Sequence, residues 1–257
     1  MTRRRSLLAM PAAAASMPAA PRKPSIFEIR RLQLRNSPHM QAQRVADFLR
    51  QSYLPALGRS GGAVHGVFSN LIAPQGPFVL LVCGFDSLSA WESAQEKLNA
   101  DPRYLKDLEA AEAQGLLYMR MEVSLVRAFS SMPGVETPPV EAQRPPRVFE
   151  WRTYESNSPL TLRKKIRMFE EGGEIAIFRR VGLTPVFFGE TIVGTNLPNL
   201  TYLLAYDNLA AREQNWAKFL ADPEWDKLRA TPGWSDAEIV SNISNVMLRP
   251  LPFSPLR

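Results

Sequence analysis

The chain has 257 residues, of which 45% are hydrophobic, and a formal net charge of +6. This length suits one large domain or two ordinary ones, and the apolar content is enough for a packed core. Seven basic residues lie within the first 31 positions. Basic and acidic residues are nearly equal in number over the rest of the chain, which argues against a nucleic-acid surface. No apolar run approaches the roughly 20 residues that span a bilayer. The one cysteine, Cys83, excludes an internal disulfide, and no zinc-type Cys/His spacing is present.

Residues 1–25 are predicted to lie outside the fold. A basic segment precedes a short Leu/Ala stretch and small residues, and Arg4-Arg5-Ser6-Leu7-Leu8 is typical of a twin-arginine export signal. Pro11 interrupts the apolar stretch, so two alternatives stay open. One is the basic tail of a cytoplasmic protein, and the other is an arginine-rich mitochondrial transit peptide. We expect export of the folded chain to the periplasm.

The first half, residues 26–130, alternates between strand and helix patterns. An Asn-Ser-Pro turn follows the first strand, and an apolar helical stripe covers residues 45–57. A second helix is expected to begin at Asp86 as its N-cap and to stop at Ala100-Asp101-Pro102. The predicted strands are Ile26–Leu34, Ala63–Ile72, Phe78–Phe85 and Val123–Phe129.

The second half, residues 147–257, has the same order of patterns after a proline-rich linker at 131–146. A long helix is predicted over Leu162–Val181, although Gly172-Gly173 favours a kink or a close backbone approach within it. The second helix is expected to begin at Asp207. The predicted strands are Val148–Tyr154, Thr184–Val193, Leu200–Tyr206 and Ile239–Leu248.

Four short segments of the first half recur in the second half, in one order and at offsets of 121 or 122 positions. A nearly constant offset indicates a tandem repeat. The matching pairs are Phe27-Glu28-Ile29-Arg30 with Phe149-Glu150-Trp151-Arg152, Asn36-Ser37-Pro38 with Asn157-Ser158-Pro159, Asp86-Ser87-Leu88 with Asp207-Asn208-Leu209, and Ala100-Asp101-Pro102 with Ala221-Asp222-Pro223.

Each half therefore reads β-α-β-β-α-β, the order of a ferredoxin-like unit. Helices cover one face of such a sheet, and the other face needs a partner. Two units in one chain can supply that cover to each other. The predicted fold is α+β, with two tandem ferredoxin-like modules packed sheet to sheet as an intrachain dimeric α+β barrel.

The second half contains a set of distinctive motifs: Phe149-Glu150-Trp151-Arg152-Thr153-Tyr154, Met168-Phe169-Glu170-Glu171-Gly172-Gly173-Glu174, Phe187-Phe188-Gly189-Glu190, Leu197-Pro198-Asn199-Leu200-Thr201-Tyr202 and Asp222-Pro223-Glu224-Trp225. Taken together, these motifs resemble those of the NIPSNAP family over most of residues 148–250. The resemblance implies the dimeric α+β barrel superfamily, which includes cofactor-free oxygenases and haem enzymes. NIPSNAP proteins have no agreed catalytic residues, so the resemblance does not assign any here.

Strand alternation suggests a polar site in the second half. Glu150, Arg152 and Tyr154 share one strand face, which we expect to look into the barrel. Arg152 is the candidate to hold a small anionic ligand, with Tyr206 and Glu190 nearby. The competing interpretation is a Glu-Arg ladder that locks the two halves together, in which Arg152 pairs with Glu150 or Glu190.

Other polar residues favour structural explanations. We interpret Glu170, Glu171 and Glu174 as a solvated acidic face rather than a metal site, and His65 as a packing residue rather than a haem ligand. No resident cofactor is predicted. The favoured function is a small-ligand-binding or interaction protein, and the alternative is a cofactor-free or haem-dependent small-molecule oxygenase. Assembly into a homo-oligomer stays open.

Overall fold

The structure, a computed structural model, describes residues 25–37, 39–139 and 144–257. The predicted export signal lies almost wholly outside the described residues. The described strands are β1 Ile26–Gln33, β2 Ala63–Ile72, β3 Phe78–Phe85, β4 Arg120–Ala128, β5 Val148–Glu155, β6 Thr184–Val193, β7 Asn199–Tyr206 and β8 Asn242–Pro250. The described helices are α1 Gln41–Phe48, α2 Leu54–Ser60, α3 Leu88–Asn99, α4 Pro102–Glu112, α5 Pro159–Glu170, α6 Glu174–Val181, α7 Leu209–Leu220, α8 Pro223–Arg229 and α9 Asp236–Ile239, with a π-helical turn, Leu49–Tyr53, between α1 and α2.

The eight described strands close into one antiparallel barrel. Their order around the barrel is β1-β3-β2-β8-β5-β7-β6-β4. Strands of the first half form one half of the wall and strands of the second half form the other. The seams between the halves are the edge pairs β2–β8 and β4–β6. The predicted α+β barrel within one chain is confirmed, and its two sheets join at their edges as well as facing each other across the interior, here called the lumen.

Aromatic contacts between the halves fill one part of the lumen. Phe27 lies 5.0 Å from Phe187, and Phe68 lies 5.0 Å from Phe149, measured between ring centroids. Each pair joins a ring of one half to a ring of the other, and all four side chains are buried. Burying a large apolar side chain contributes about 1.5–3 kcal/mol, so this contact stabilises the closed barrel.

The outer faces of the two sheets are covered by the helices. Two of these helices begin one residue later than the sequence predicted. The N-cap residues are Ser87 and Asn208, whose side chains accept hydrogen bonds from the backbone N–H of the third helical residue. Asp101 and Asp222 cap two further helices, α4 and α8, which the sequence analysis did not predict because it ended the preceding helix at the Ala-Asp-Pro segment and placed no helix after it. Proline at the first helical position explains why the chain restarts a helix there.

The long helix predicted over Leu162–Val181 is two helices, because the chain breaks at Gly172-Gly173. Gly173 has a φ of 85°, a left-handed conformation that suits glycine. A Cβ on Gly172 would lie 2.6 Å from the carbonyl oxygen of Met168. The break lets α6 begin with its own first residue, Glu174, turned into the interior.

The segments that follow β4 and β8 each dock on the second strand of the opposite half. After β4, the backbone N–H groups of Phe129 and Glu136 donate to β6. After β8, those of Leu251 and Leu256 donate to Val67 and His65 of β2. Glu136 also forms a salt bridge with Arg179 at 2.7 Å. The first part of the predicted linker is therefore attached to the barrel rather than a free connection.

Candidate functional site

A cavity of about 460 Å³ lies at the end of the lumen beside the β2–β3 and β6–β7 connections. Strands of both halves contribute to it. Its size lies within the range of small-molecule sites. We call it the mouth cavity, and define it by Arg31, Phe78, Glu122, Trp151, Thr153 and Thr201.

Arg31 carries the charge in one wall of the mouth cavity. Its guanidinium lies 4.3 Å above the ring of Phe78, and Nη2 donates to Gln33. The carboxylate of Glu122 is 3.5 Å from Nη1, but Glu122 also accepts a 2.7 Å hydrogen bond from Arg120. Two guanidinium groups thus share one carboxylate.

The environment of Arg31 leaves its charge only partly compensated. Burial lowers the pKa of Arg31 and the neighbouring Arg120 adds to that effect, while Glu122 opposes both. The buried Nε of Arg31 has no hydrogen-bond partner among the described residues. A guanidinium in this state favours an added anion, because a carboxylate can accept two parallel hydrogen bonds from it.

The opposite wall is uncharged and carries hydroxyl groups. The indole N–H of Trp151 donates to the hydroxyl of Thr201, which in turn donates to the backbone carbonyl of Arg152 at 2.8 Å. The hydroxyl of Thr153 lies 3.3 Å from that of Thr201. These contacts fix the orientation of the indole ring and place two hydroxyl groups side by side.

The residues that sequence analysis proposed for a site lie on the other side of the sheet. Phe149 and Trp151 face the lumen, whereas Glu150 and Arg152 lie beneath α7. The expectation that Glu150, Arg152 and Tyr154 look into the barrel is therefore wrong. Both faces of β5 are buried, so alternation grouped these side chains correctly but could not show which group faces inward.

Glu150 is the centre of this outer network. Its fully buried carboxylate accepts hydrogen bonds from five side chains. These donors are Arg152 at 2.9 Å, Arg212 at 2.6 Å, Trp216 at 3.0 Å, Tyr206 at 2.8 Å and Asn245 at 3.1 Å. Burial alone would raise the pKa of Glu150, but the hydrogen bond from Arg212 and the charge of Arg152 hold it at about 2.

Arg152 pairs within this network through both Nη groups, while its buried Nε, like those of Arg31 and Arg212, has no hydrogen-bond partner among the described residues. One Nη donates to Glu150 and the other to the hydroxyl of Tyr154 at 3.2 Å, while the guanidinium stacks 4.4 Å above Trp216. Glu190 is not its partner; it lies 3.9 Å from Arg127 across the β4–β6 seam. The predicted Glu-Arg pairing exists, but it holds α7 on the sheet of its own half and does not lock the halves together.

The first half contains a related network in the same place. Glu28 is buried and accepts hydrogen bonds from Arg30 at 2.7 Å and from Trp91 of α3 at 2.6 Å. Gln95, one turn along α3, also donates to Glu28. A buried carboxylate beneath the second long helix is thus a feature of both halves, which favours a role in packing.

A second buried ion pair lies beneath α9. Lys165 is fully buried, and its Nζ lies 3.2 Å from Glu174 and 3.1 Å from Asp236. Burial raises the pKa of Glu174 to about 7, although Lys165 opposes the shift. The predicted solvated acidic face is wrong for Glu174, because the break at Gly173 turns this residue inward. Glu171 is exposed, as predicted.

The histidines and the cysteine do not form a site. His65 lies on the lumen wall against Phe27, at 6.1 Å between ring centroids, and its ring fills the space above Gly84. It does not line the mouth cavity, whose described lining residues include no histidine or cysteine, so that cavity does not fit a haem.

The described residues contain no cluster of acidic, histidine or cysteine side chains that could hold a metal. They also contain no helix long and apolar enough to cross a membrane.

Sequence reasoning missed Arg31 and the uncharged wall. A signal was present, because Phe27, Ile29 and Arg31 alternate along β1 in the same way as Phe149, Trp151 and Thr153 along β5. Once Phe27 and Ile29 are assigned to the lumen, alternation places the charged Arg31 on the same inner face of β1.

Comparison with known proteins places this geometry among related folds. Residues 149–255 match the model of the NIPSNAP family. A monooxygenase-like protein of Fusobacterium nucleatum has 9% identity and a TM-score of 0.57, with 89% of this chain and 93% of that chain covered. A monooxygenase-like protein of Lactobacillus acidophilus has 11% identity and a TM-score of 0.57, with coverage of 89% and 94%.

A NIPSNAP-like domain protein of Burkholderia xenovorans is 29% identical, with a TM-score of 0.38 and coverage of 42% of this chain and 89% of that chain. A comparison with curated protein sequences finds no significant match. The predicted resemblance is confirmed for the second half: residues 149–255 are similar to NIPSNAP domains, and the chain has the fold of the monooxygenase-like barrels.

Proposed function

We propose that this protein binds a small organic anion in the mouth cavity, with Arg31 as its anchor. The observation that carries the proposal is the uneven charge of the cavity wall, where Arg31 and Arg120 share the single carboxylate of Glu122. Glu122 is half exposed and pairs most closely with Arg120. Arg31 therefore has capacity for a further anionic partner.

The surroundings of Arg31 favour a bound anion over a solvated one. Its side chain is only 20% exposed, so an ion pair there is screened less than one at the surface. The Phe78 ring stacks against one face of the guanidinium, so the N–H donors of Arg31 point outward in the plane of the guanidinium. A carboxylate that replaces water at this point gains charge-assisted hydrogen bonds in a partly desolvated site.

Substitution of Arg31 tests the proposal. Sodium benzoate and sodium hexanoate serve as simple monocarboxylate probes, and binding is measured by ligand-detected NMR. We expect Arg31→Gln to weaken binding at least tenfold, which corresponds to about 1.4 kcal/mol. Arg127→Gln is the matched control, because Arg127 is half exposed on the outer face. Unchanged binding by Arg31→Gln, or equal loss in both variants, would contradict the proposal.

The predicted candidates Glu150, Arg152, Tyr154, Tyr206 and Glu190 remain untested as ligand contacts. The hydrogen bonds of Arg152 to Glu150 and Tyr154 favour a packing role for them. The same NMR titration with Arg152→Ala separates the two roles, since loss of binding without loss of stability would support a second anion site.

An oxygenase is the second candidate function. It is supported by fold alone, through the likeness of the whole chain to two monooxygenase-like proteins. The mouth cavity could then hold an organic substrate without a cofactor. An absorbance scan of the purified protein and an oxygen-electrode assay with small phenols test this candidate. Oxygen consumption that depends on Arg31 would favour the enzyme over the binding protein.

We further infer that the two halves derive from one duplicated module and that residues 1–25 direct export. The repeated segments and the shared element order support the first inference, and the twin-arginine pattern supports the second. Mass spectrometry of the N-terminus of the cellular protein tests the export signal. A cytoplasmic protein that keeps Met1 or Thr2 would contradict it.

A further inference from the structure

The two walls of the mouth cavity occupy equivalent positions in the two halves of the barrel. In the strand order β1 and β5 are four steps apart in a ring of eight, so they lie opposite each other. Arg31 pairs with Leu80 of β3, and Thr153 pairs with Thr201 of β7 in the same relative register. Equivalent positions thus face one another across the cavity.

The chemistry at these equivalent positions differs. Arg31 faces Thr153, and Ile29 faces Trp151. On the last strand of each half, Glu122 of β4 pairs with Arg31 and Ser244 of β8 pairs with Thr153, so Glu122 and Ser244 are equivalent positions. A barrel built from two identical chains would present the same side chains twice, whereas this chain has one charged wall and one uncharged wall.

The uncharged wall disfavours a second negative charge. Its described lining residues carry no cation, and Glu155, two residues after Thr153 at the end of β5, accepts hydrogen bonds from Asn196 and Asn242. An anionic group placed there would lose water without gaining a counter-ion. The hydroxyl group of Thr153 can instead pair with a neutral polar group, and the fixed indole of Trp151 offers a flat surface.

On the basis of the proposed function, we propose that the ligand is an aromatic monocarboxylate with an uncharged hydroxyl group at the end opposite the carboxylate. Its carboxylate binds Arg31 in the first half, and its uncharged hydroxyl end lies against Trp151, Thr153 and Thr201 in the second half. The charge balance supports one anionic group, because the wall holds two guanidinium groups and one carboxylate. Specificity then comes from the difference between the walls.

Four probes separate this class from others: 4-hydroxybenzoate, benzoate, terephthalate and methyl 4-hydroxybenzoate. We expect 4-hydroxybenzoate to bind most tightly by NMR titration. Terephthalate, with a charge at each end, and the uncharged methyl ester should each bind at least tenfold more weakly. Benzoate should bind several-fold more weakly, because it lacks the hydroxyl group that would pair with the hydroxyl of Thr153.

Variants assign the two ends of the ligand. Thr153→Val should abolish the advantage of 4-hydroxybenzoate over benzoate, whereas the exposed control Thr231→Val should leave that advantage unchanged. Arg31→Gln should abolish the advantage of 4-hydroxybenzoate over its methyl ester. Retention of both preferences in the respective variants would overturn the assignment.

The outcomes also distinguish this inference from the proposed function. If the carboxylates bind through Arg31 but terephthalate equals 4-hydroxybenzoate, the ligand class is wrong and anion binding stands. If none of the probes binds, or if binding is independent of Arg31, both the ligand class and the proposed function are wrong.

Discussion

Glu150 illustrates how a single buried side chain organises its surroundings in this fold. Five donors from four elements converge on its carboxylate. Replacing it with glutamine leaves Arg152 and Arg212 without their anion. We expect Glu150→Gln to lower the free energy of unfolding by roughly 3 kcal/mol, as measured by urea denaturation. Glu213→Gln is the control, because Glu213 contacts the same Arg212 from an exposed position and should cost under about 1 kcal/mol.

The pH dependence of the same variant gives an independent check. The pKa of Glu150 is about 2 in the folded chain, below its ordinary value of 4.5. A carboxyl with a lowered pKa stabilises the fold above its ordinary pKa and loses that contribution as pH falls towards the folded value. The wild type should therefore lose stability between pH 4.5 and 2 more steeply than Glu150→Gln. Parallel acid limbs would contradict this role.

Glu174 should show the opposite sign. Burial raises its folded pKa to about 7, so the folded chain binds more protons than the unfolded chain between pH 4.5 and 7. Its contribution to stability therefore falls as pH rises through that window. We expect Glu174→Gln to flatten this fall in urea denaturation at pH 4.5 to 7.5. Glu171→Gln, at a largely exposed position, should keep the wild-type slope.

At the level of residues, the predicted pairing of Glu150 with Arg152 is correct, but the predicted face of β5 on which they lie is wrong. Alternation along β5 correctly grouped Glu150 with Arg152, but the lumen and the helix-covered face are both buried, so polarity did not identify the inner one. The partners Arg212 and Trp216 are more than 60 positions away. Their contact with Glu150 depends on where α7 crosses the sheet, which no local pattern of one sequence contains.

Among the elements, the segment after β8 has a role that its composition does not suggest. Leu256 is 1% exposed and packs in the lumen, and its backbone N–H donates to β2 of the other half. We expect Leu256→Ala to lower the free energy of unfolding by about 2–4 kcal/mol. Leu220→Ala, at the exposed end of α7, should change it by under about 0.5 kcal/mol. Equal effects would show that the segment does not stabilise the barrel.

Element prediction was accurate where a strand is bounded by turn residues. Ala63–Ile72, Phe78–Phe85 and Thr184–Val193 have the predicted bounds. It failed where short helices follow one another, as at α8 and α9. Such helices are fixed by caps and by tertiary burial, as when Asp222 caps α8 and Ile239 of α9 packs in the core.

At the scale of the whole molecule, each half depends on the other for its edges and its inner face. Removing the first half would expose the edge strands β6 and β8. It would also expose the inner side chains Phe149 and Phe187, which now pack against Phe68 and Phe27. An exposed apolar sheet with two free edges is prone to pair with another chain.

We therefore expect residues 147–257, expressed alone, to form dimers or larger species rather than a stable monomer. Two copies can close a barrel by pairing β8 of one with β6 of the other, since β6 holds the position in its half that β2 holds in the first. Light scattering after size-exclusion chromatography measures the mass, with the full chain as reference.

Co-expression with residues 1–146 should convert the fragment into a heterodimer, because the cross-half contacts of Phe27 and Phe68 are then restored. A soluble, cooperatively unfolding monomer of residues 147–257 would show that the second half is stable by itself. The mouth cavity would still need the first half, which supplies Arg31.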